Sequence, residues 1–427
     1  MSRIAIIGAG YVGLTTGACF ASLGHEVVCA DVDQTKIDSL LKGDIPILEH
    51  GLPELVREGL DRKRLSFVLG AAAAATDAEF AYLCVPTPQS ANGAADLSFI
   101  RSAAAEIAQV LPPESIVVNK STVPVGSARV VEEALGRDDI AVVSNPEFLR
   151  EGSAVHDFLN PDRIVIGAED PAAAARVASL FSEIKAPVIV TDPASAETIK
   201  YACNAFLATK ISFVNAVANV CEAVGADVRD VLLGMGYDRR IGFEFLKPGP
   251  GWGGSCLPKD TSALIRTAED AGYDFDLLRG VQTVNEEQLE RVTAKVVRMA
   301  GGSVDGELVA AWGLTFKART NDLRSSPALD VISRLRQRGA RVRAHDPAVS
   351  TTSSHPGLDG IELSGDPYGA CDGAAVLVVL TEWDEFRRLD FTKVAAEMAE
   401  PRIVDARNIL DPAALRRLGF AYDGVGR

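Results

Sequence analysis

The sequence predicts an α/β protein with two doubly wound parallel-sheet domains joined by a region of long helices. Three observations predict it. Short apolar runs alternate with helical stretches in both halves of the chain, whereas the middle carries only helical periodicity. At 427 residues and 47% hydrophobic, the chain is long and apolar enough for several cores.

The elements follow in order. Residues 3–7 are a short apolar run. Gly8-x-Gly10-x-x-Gly13 comes next, then a helical stretch through Leu23 and a stop at Gly24. Residues 26–30 form a second apolar strand that ends at Asp31. Further buried strands are expected at 80–85, 115–119, 140–144, 164–166 and 188–190. The alanine run 71–75 reads equally as a helix start or a loop. From Ser195 to about Met235 the apolar spacing is that of one long helix. A glycine- and proline-rich patch at 248–254 follows, and a second long helix covers about 276–300. Alternation returns with strands at 308–312, 341–344, 375–380 and 402–404, in a smaller α/β domain. Residues 350–360 are polar and read as a surface loop.

The formal net charge of −15 excludes a general attraction to nucleic acid or anionic membranes. An anionic small molecule would have to be held by a few local Lys and Arg. Seven cysteines without a CxxC pair or clustered histidines predict no metal site, and the odd number predicts free thiols in a reducing compartment. The N-terminal apolar run is interrupted by glycines and reads as a strand, not a signal peptide. No apolar run of about 18 residues is present, so no membrane span is expected.

Four places carry chemistry. In the glycine loop, Gly8 makes the tight turn, Gly10 lets the backbone approach a pyrophosphate, and Gly13 lets helix and strand pack. Asp31, 18 residues after Gly13, would accept from an adenosine ribose and repel a 2′-phosphate, which favours NAD over NADP. The second place is Gly249 to Asp260, where Cys256 opens a helix with Pro258 in its first turn. A thiol there has a larger thiolate fraction. Asp260, one turn on, suits a group that positions water. The third is a pair of carboxylates, Glu147 and Glu151, in a loop after a strand, where such folds bind ligands. Lys200 and Asn204 form an i, i+4 pair able to stabilise an oxyanion.

Together these residues resemble the UDP-glucose 6-dehydrogenase family, within a wider group that includes GDP-mannose dehydrogenase. The resemblance rests on Gly8 to Leu14, Cys84-Val-Pro-Thr87-Pro, Lys120-Ser-Thr122-Val-Pro-Val-Gly and Asn145-Pro-Glu147-Phe-Leu-Arg-Glu151-Gly. It continues through Lys200 to Asn204, Gly253-Gly-Ser-Cys256-Leu-Pro-Lys-Asp260, Gly313-Leu-Thr-Phe-Lys317 and Asp405-Ala-Arg407-Asn.

The resemblance implies an NAD-binding Rossmann domain at 1–194, a central helical dimerisation domain at 195–303, and a Rossmann-like UDP-sugar domain at 304–427. It implies two successive oxidations of a C6 alcohol, with Cys256 as the nucleophile of a thiohemiacetal and then a thioester. Lys200 and Asn204 would stabilise oxyanions, Asp260 would position water or accept a proton, and Glu147 and Thr122 would do acid–base work through a water. Toward NAD it implies Gly8, Gly10, Tyr11, Val12, Gly13, Asp31, Lys36, Thr87, Thr122, Glu151, Lys259 and Arg324. Toward the sugar nucleotide it implies Glu147, Phe148, Leu149, Arg150, Glu151, Lys200, Asn204, Phe245, Leu246, Lys247, Gly249, Trp252, Gly253, Lys317 and Arg407. Arg240 would be supplied across a homodimer interface, and the compartment would be the cytoplasm.

Trp252 stands where the family has Tyr or Phe, Pro250 replaces a branched residue, and Leu257 replaces Phe. Uracil and thymine differ by one methyl, and Leu257-Pro-Lys also occurs in the GDP-mannose branch, so dTDP-glucose and GDP-mannose remain open as substrates. So do a single-step dehydrogenase that needs no thiol and a nucleotide-binding protein without catalysis.

Overall fold

β1 (Arg3–Ile7) lies at the centre of the first sheet because its apolar run can be buried on both faces: Ile4, Ala5, Ile6 and Ile7 are at most 3% exposed. In this computed structural model, which describes residues 1–88 and 95–427, the chain packs into two units. One comprises residues 1–203 and 262–272, the other residues 204–261 and 273–427.

The first unit holds β1, β2 (Glu26–Asp31), β3 (Leu65–Leu69), β4 (Phe80–Leu83), β5 (Ile116–Asn119), β6 (Ala141–Ser144), β7 (Ile164–Gly167) and β8 (Val188–Thr191). Their order is β3-β2-β1-β4-β5-β6-β7-β8. The first six are parallel in the order of a dinucleotide-binding fold. The helix Tyr11–Ser22 buries Leu14, Ala18 and Phe20 against one face, and the helices Ser98–Ala108 and Ser127–Leu135 bury Ile100, Ile107 and Val131 against the other.

The sheet departs from the all-parallel expectation at β7, which meets β6 antiparallel through Ser144 opposite Gly167. A parallel crossover must carry the chain back across the sheet. Here residues 145–163 turn back at the carboxyl edge instead, so the whole loop with Glu147 and Glu151 stays at the end where such folds bind ligands. The undecided run at 71–75 is the helix Ala71–Ala75. β3 was missed because Ser66 interrupts its apolar positions and its burial alternates.

The second unit holds β9 (Leu308–Trp312), β10 (Arg341–His345), β11 (Glu362–Leu363), β12 (Val376–Val379), β13 (Arg402–Asp405) and β14 (Ala421–Gly424). Their order, β11-β10-β9-β12-β13-β14, repeats the same winding with every pair parallel. The edge strands β11 and β14 were missed: one has two residues, and the other reads Ala-Tyr-Asp-Gly, without an apolar run.

The single helix expected from Ser195 to Met235 is two helices, Pro193–Val224 and Val228–Gly236. Gly225 breaks them at φ +74°, and Asp227 caps the second by accepting from the Arg229 N–H. The expectation of no membrane-length apolar segment also needs correction. The 32-residue helix Pro193–Val224 is long and apolar enough by length and composition to cross a bilayer. Its polar positions Glu197, Lys200, Asn204, Ser212 and Asn215 are buried, whereas Phe206, Phe213, Val220 and Val224 are 55–72% exposed.

Candidate active site

The three glycines divide their work as predicted. Gly8 has φ +103°, and a Cβ there would press on the Cys84 carbonyl. A Cβ at Gly13 would overlap the Gly8 carbonyl oxygen. A Cβ at Gly10 would meet nothing within 4 Å. Open space above Gly10, at the N-terminus of the helix Tyr11–Ser22, is what a pyrophosphate needs. At the end of β2, the Asp31 carboxylate accepts from the Ala9 N–H at 3.0 Å, the Asp33 N–H at 3.1 Å and Lys36 Nζ at 2.8 Å. Burial opposes its charge, but Lys36 and the backbone donors outweigh burial and hold the carboxyl below its ordinary range. The glycine loop and a charged Asp31 thus fit a dinucleotide.

At the carboxyl ends of β4 and β5, the buried Thr87 donates to the Thr122 carbonyl at 2.8 Å, which brings these two predicted residues together. In the loop after β6, Glu147 Oε1 accepts from Lys200 Nζ at 2.8 Å, with both side chains 5% exposed. Glu147 Oε2 accepts from the Leu149 N–H at 2.7 Å. Burial pushes the Glu147 carboxyl up, yet Lys200, the Leu149 N–H and Lys120 together bring it below the usual glutamate range. Phe148 lies under Arg163, whose guanidinium carbon is 3.6 Å from the ring centroid. Arg150 forks onto Asp157, with Nη2 at 2.6 Å and Nε at 3.0 Å, and its N–H reaches the same carboxylate. That clamp folds the loop ahead of Glu151.

The sequence reading assigned no role to Lys120. It is 4% exposed, follows β5, and donates to Asn145 Oδ1 at 3.1 Å, at the head of the Glu147 loop. Burial, reinforced by Lys200, lowers its pKa to about 8 against the pull of Cys84 and Glu147. A lysine directly after a strand with no solvent-facing position was the available signal.

In the second unit, Cys256 directly precedes the helix Leu257–Asp270, and its carbonyl accepts from the Asp260 N–H at 2.9 Å. Asp260 is fully buried. One carboxylate oxygen accepts from Asn204 Nδ2 at 2.6 Å and the other from Lys259 Nζ at 2.6 Å. Ser255 Oγ lies 3.6 Å from the Cys256 sulfur.

The segment before Cys256 is held by amides that sequence reasoning missed. The Gly249 N–H reaches Asn215 Oδ1, and Gln288 donates to the Gly249 carbonyl. Asn285 bonds both backbone groups of Trp252. The Trp252 ring is buried, and its N–H donates to Ser212 Oγ at 2.8 Å. The ring is therefore an anchor for the loop.

Arg407, after β13, donates to the Leu380 and Phe316 carbonyls and packs against Gly249, where a Cβ would sit 3.1 Å from its guanidinium. Gly253 and Gly254 lie against Ser325 and Phe316, beside Lys317. Gly249, Gly253, Lys317 and Arg407 thus gather at the carboxyl ends of β9, β12 and β13, the switch point of the second sheet. Phe245 takes φ +63° between exposed Glu244 and buried Leu246, a strained conformation for an aromatic residue. Arg324 is forked onto Asp322, with Nη2 at 2.6 Å. Arg240 is forked onto Asp238 and its side chain is 89% exposed; Lys247 is exposed too.

Comparison with known proteins decides the family. Residues 2–185 match the NAD binding domain of the UDP-glucose/GDP-mannose dehydrogenase family, residues 194–287 its central domain, and residues 310–412 its UDP binding domain. The chain belongs to this family. It is 46% identical to UDP-glucose 6-dehydrogenase TuaD of Bacillus subtilis, over 100% of this chain and 94% of that one. It is 44% identical to UDP-glucose 6-dehydrogenase of Pseudomonas aeruginosa, over 100% and 97%. A UDP-glucose dehydrogenase structure from Pyrobaculum islandicum superposes with a TM-score of 0.92 at 36% identity, covering 100% of this chain and 98% of that one. The cofactor is NAD, as the glycine loop and Asp31 predict.

Proposed function

We propose that this protein oxidises the C6 alcohol of UDP-glucose twice to give UDP-glucuronate. The observation that carries this reading is Cys256 at the start of a helix whose first-turn Asp260 is fully buried and bonded to Asn204. A one-step alcohol dehydrogenase has no use for a thiol there. NAD supplies the acceptor for the hydride that leaves C6 in each of two rounds.

In the first round the hydroxyl proton passes to a water held by Glu147 and Thr122, and the aldehyde forms. The Cys256 sulfur then bonds to C6, and the thiol proton goes to the new alkoxide. Lys200 and Asn204 stabilise the negative oxygen as it develops. Loss of a second hydride and the hydroxyl proton leaves a thioester. Water attacks the thioester, the C–S bond breaks, and Cys256 leaves as thiolate. Asp260 positions that water or takes its proton. Gly249, Gly253, Lys317 and Arg407 hold the sugar nucleotide, with the cations answering its phosphates.

The same reading makes the protein a cytoplasmic homodimer built on the central segment 195–303. Phe206, Phe213 and Val220 recur every seven residues on the helix Pro193–Val224 and are 64%, 55% and 60% exposed. Such an apolar stripe is what a second copy would cover. The exposed Arg240 would then serve the partner's site.

The test is NADH formed per sugar nucleotide consumed, with UDP-glucose, dTDP-glucose and GDP-mannose side by side. Two NADH per UDP-glucose, with the others slow, supports the reading. One NADH per sugar sinks the thioester, and two with another nucleotide keeps the chemistry but changes the substrate.

A further inference from the structure

A carboxylate outside every motif in the sequence holds the two loops of the first unit together. Glu49 lies between the helices Gln34–Leu41 and Leu52–Asp61 and is 3% exposed. One of its oxygens accepts from the Gly152 N–H at 2.7 Å and from the Tyr11 hydroxyl. The other accepts from the Ala154 N–H at 2.9 Å. The Tyr11 oxygen in turn accepts from the Gly152 N–H at 2.9 Å. Tyr11 is the first residue of the helix that opens under the cofactor, and Gly152 directly follows Glu151.

We propose that Glu49 is a positioning residue that ties Tyr11, in the cofactor loop, to the segment carrying Glu147 and Glu151. Burying a carboxylate is costly unless its lone pairs are filled, and here donors from both loops fill them. Part of the role is capping. The helix Ala154–Leu159 receives no cap from Ser153, and Glu49 supplies it from 105 residues away. Capping does not account for the Tyr11 hydroxyl, which bonds both Glu49 and Gly152 and belongs to the other loop.

Because the inference rests on NAD occupying the glycine loop, its test reads NAD+ binding directly. NAD+ affinity is measured by calorimetry, and KM for each substrate by turnover, for wild type, Tyr11→Phe, Glu49→Gln and the double variant. Tyr11→Phe leaves the cap in place. The expected result is a loss of NAD+ affinity on the order of tenfold for each single variant, with the double variant no weaker than Glu49→Gln alone. KM for UDP-glucose should move far less than KM for NAD+. Unchanged NAD+ affinity in Tyr11→Phe, or losses that multiply in the double variant, would overturn the proposal and leave Glu49 a helix cap. A wild type that binds no NAD+ would overturn the cofactor assignment and the inference with it.

Discussion

Lys200 and Glu147 form a 2.8 Å ion pair from which solvent is almost wholly excluded. Each partner is tolerable only because of the other, since an uncompensated charge in such a place costs several kcal/mol. Lys200→Met should therefore destabilise the protein by about 3–5 kcal/mol. Adding Glu147→Gln should recover much of that loss without restoring turnover. Urea unfolding of the two singles and the double checks it; additive losses would mean that the pair is not coupled. The depressed pKa of Glu147 also sets a sign. Its contribution is complete above the ordinary glutamate range and is lost as pH falls through the lower folded value.

Lys120 behaves in the opposite way. Its pKa of about 8, against 10.5 for a free lysine, means that the folded state sheds a proton that the unfolded chain keeps between those values. Stability therefore rises with pH across that window, and below pH 8 the buried charge is a standing cost of up to about 3 kcal/mol. Lys120→Met should be more stable than wild type at pH 7 and yet less active. The stability gap should close as pH approaches 10.5. A variant that is less stable at pH 7 would show that Lys120 is a structural residue.

Asn204 gives the buried Asp260 a 2.6 Å hydrogen bond one helical turn from Cys256. Asn204→Ala should lower kcat by about 10²-fold, the scale of losing one oxyanion donor. KM for NAD+ should stay near its wild-type value. Steady-state kinetics decides this, and an unchanged kcat would remove Asn204 from the chemistry.

The exposed stripe on the helix Pro193–Val224 makes a prediction about assembly. Each buried Phe contributes roughly 1.5–3 kcal/mol relative to exposure, so Phe213→Glu at the middle of the stripe should split a dimer. Analytical ultracentrifugation reads the mass. A dimer that survives Phe213→Glu would place the interface elsewhere.

Strands fully buried in parallel sheets were legible because burial on both faces demands continuous apolar runs, as in β1, β9 and β12. β3, β11 and β14 were not, because these edge strands are short or half-exposed and lose that signature, whereas the edge strand β8 keeps its apolar run although Val188, Ile189 and Val190 are 43–56% exposed and not buried as expected. The reversal at β7 was also hidden, since an apolar run has no direction. Gly8, Gly10, Gly13 and Asp31 could be read from spacing, because backbone geometry constrains them locally. Lys120, Glu49 and Ser212 could not, because their partners lie 25, 105 and 40 residues away.

The sequence by itself determined two doubly wound sheets, the cofactor loop and the place of Cys256 at the start of a helix. Each of these follows from short-range periodicity or from a residue type at a fixed offset. Tertiary structure alone decided which charges are buried and what answers them. It paired Lys200 with Glu147, left Lys120 uncharged above about pH 8, and turned Trp252 inward onto Ser212. The physical reason is that a side chain's charge and role depend on desolvation and on partners distant in sequence, which no local pattern records.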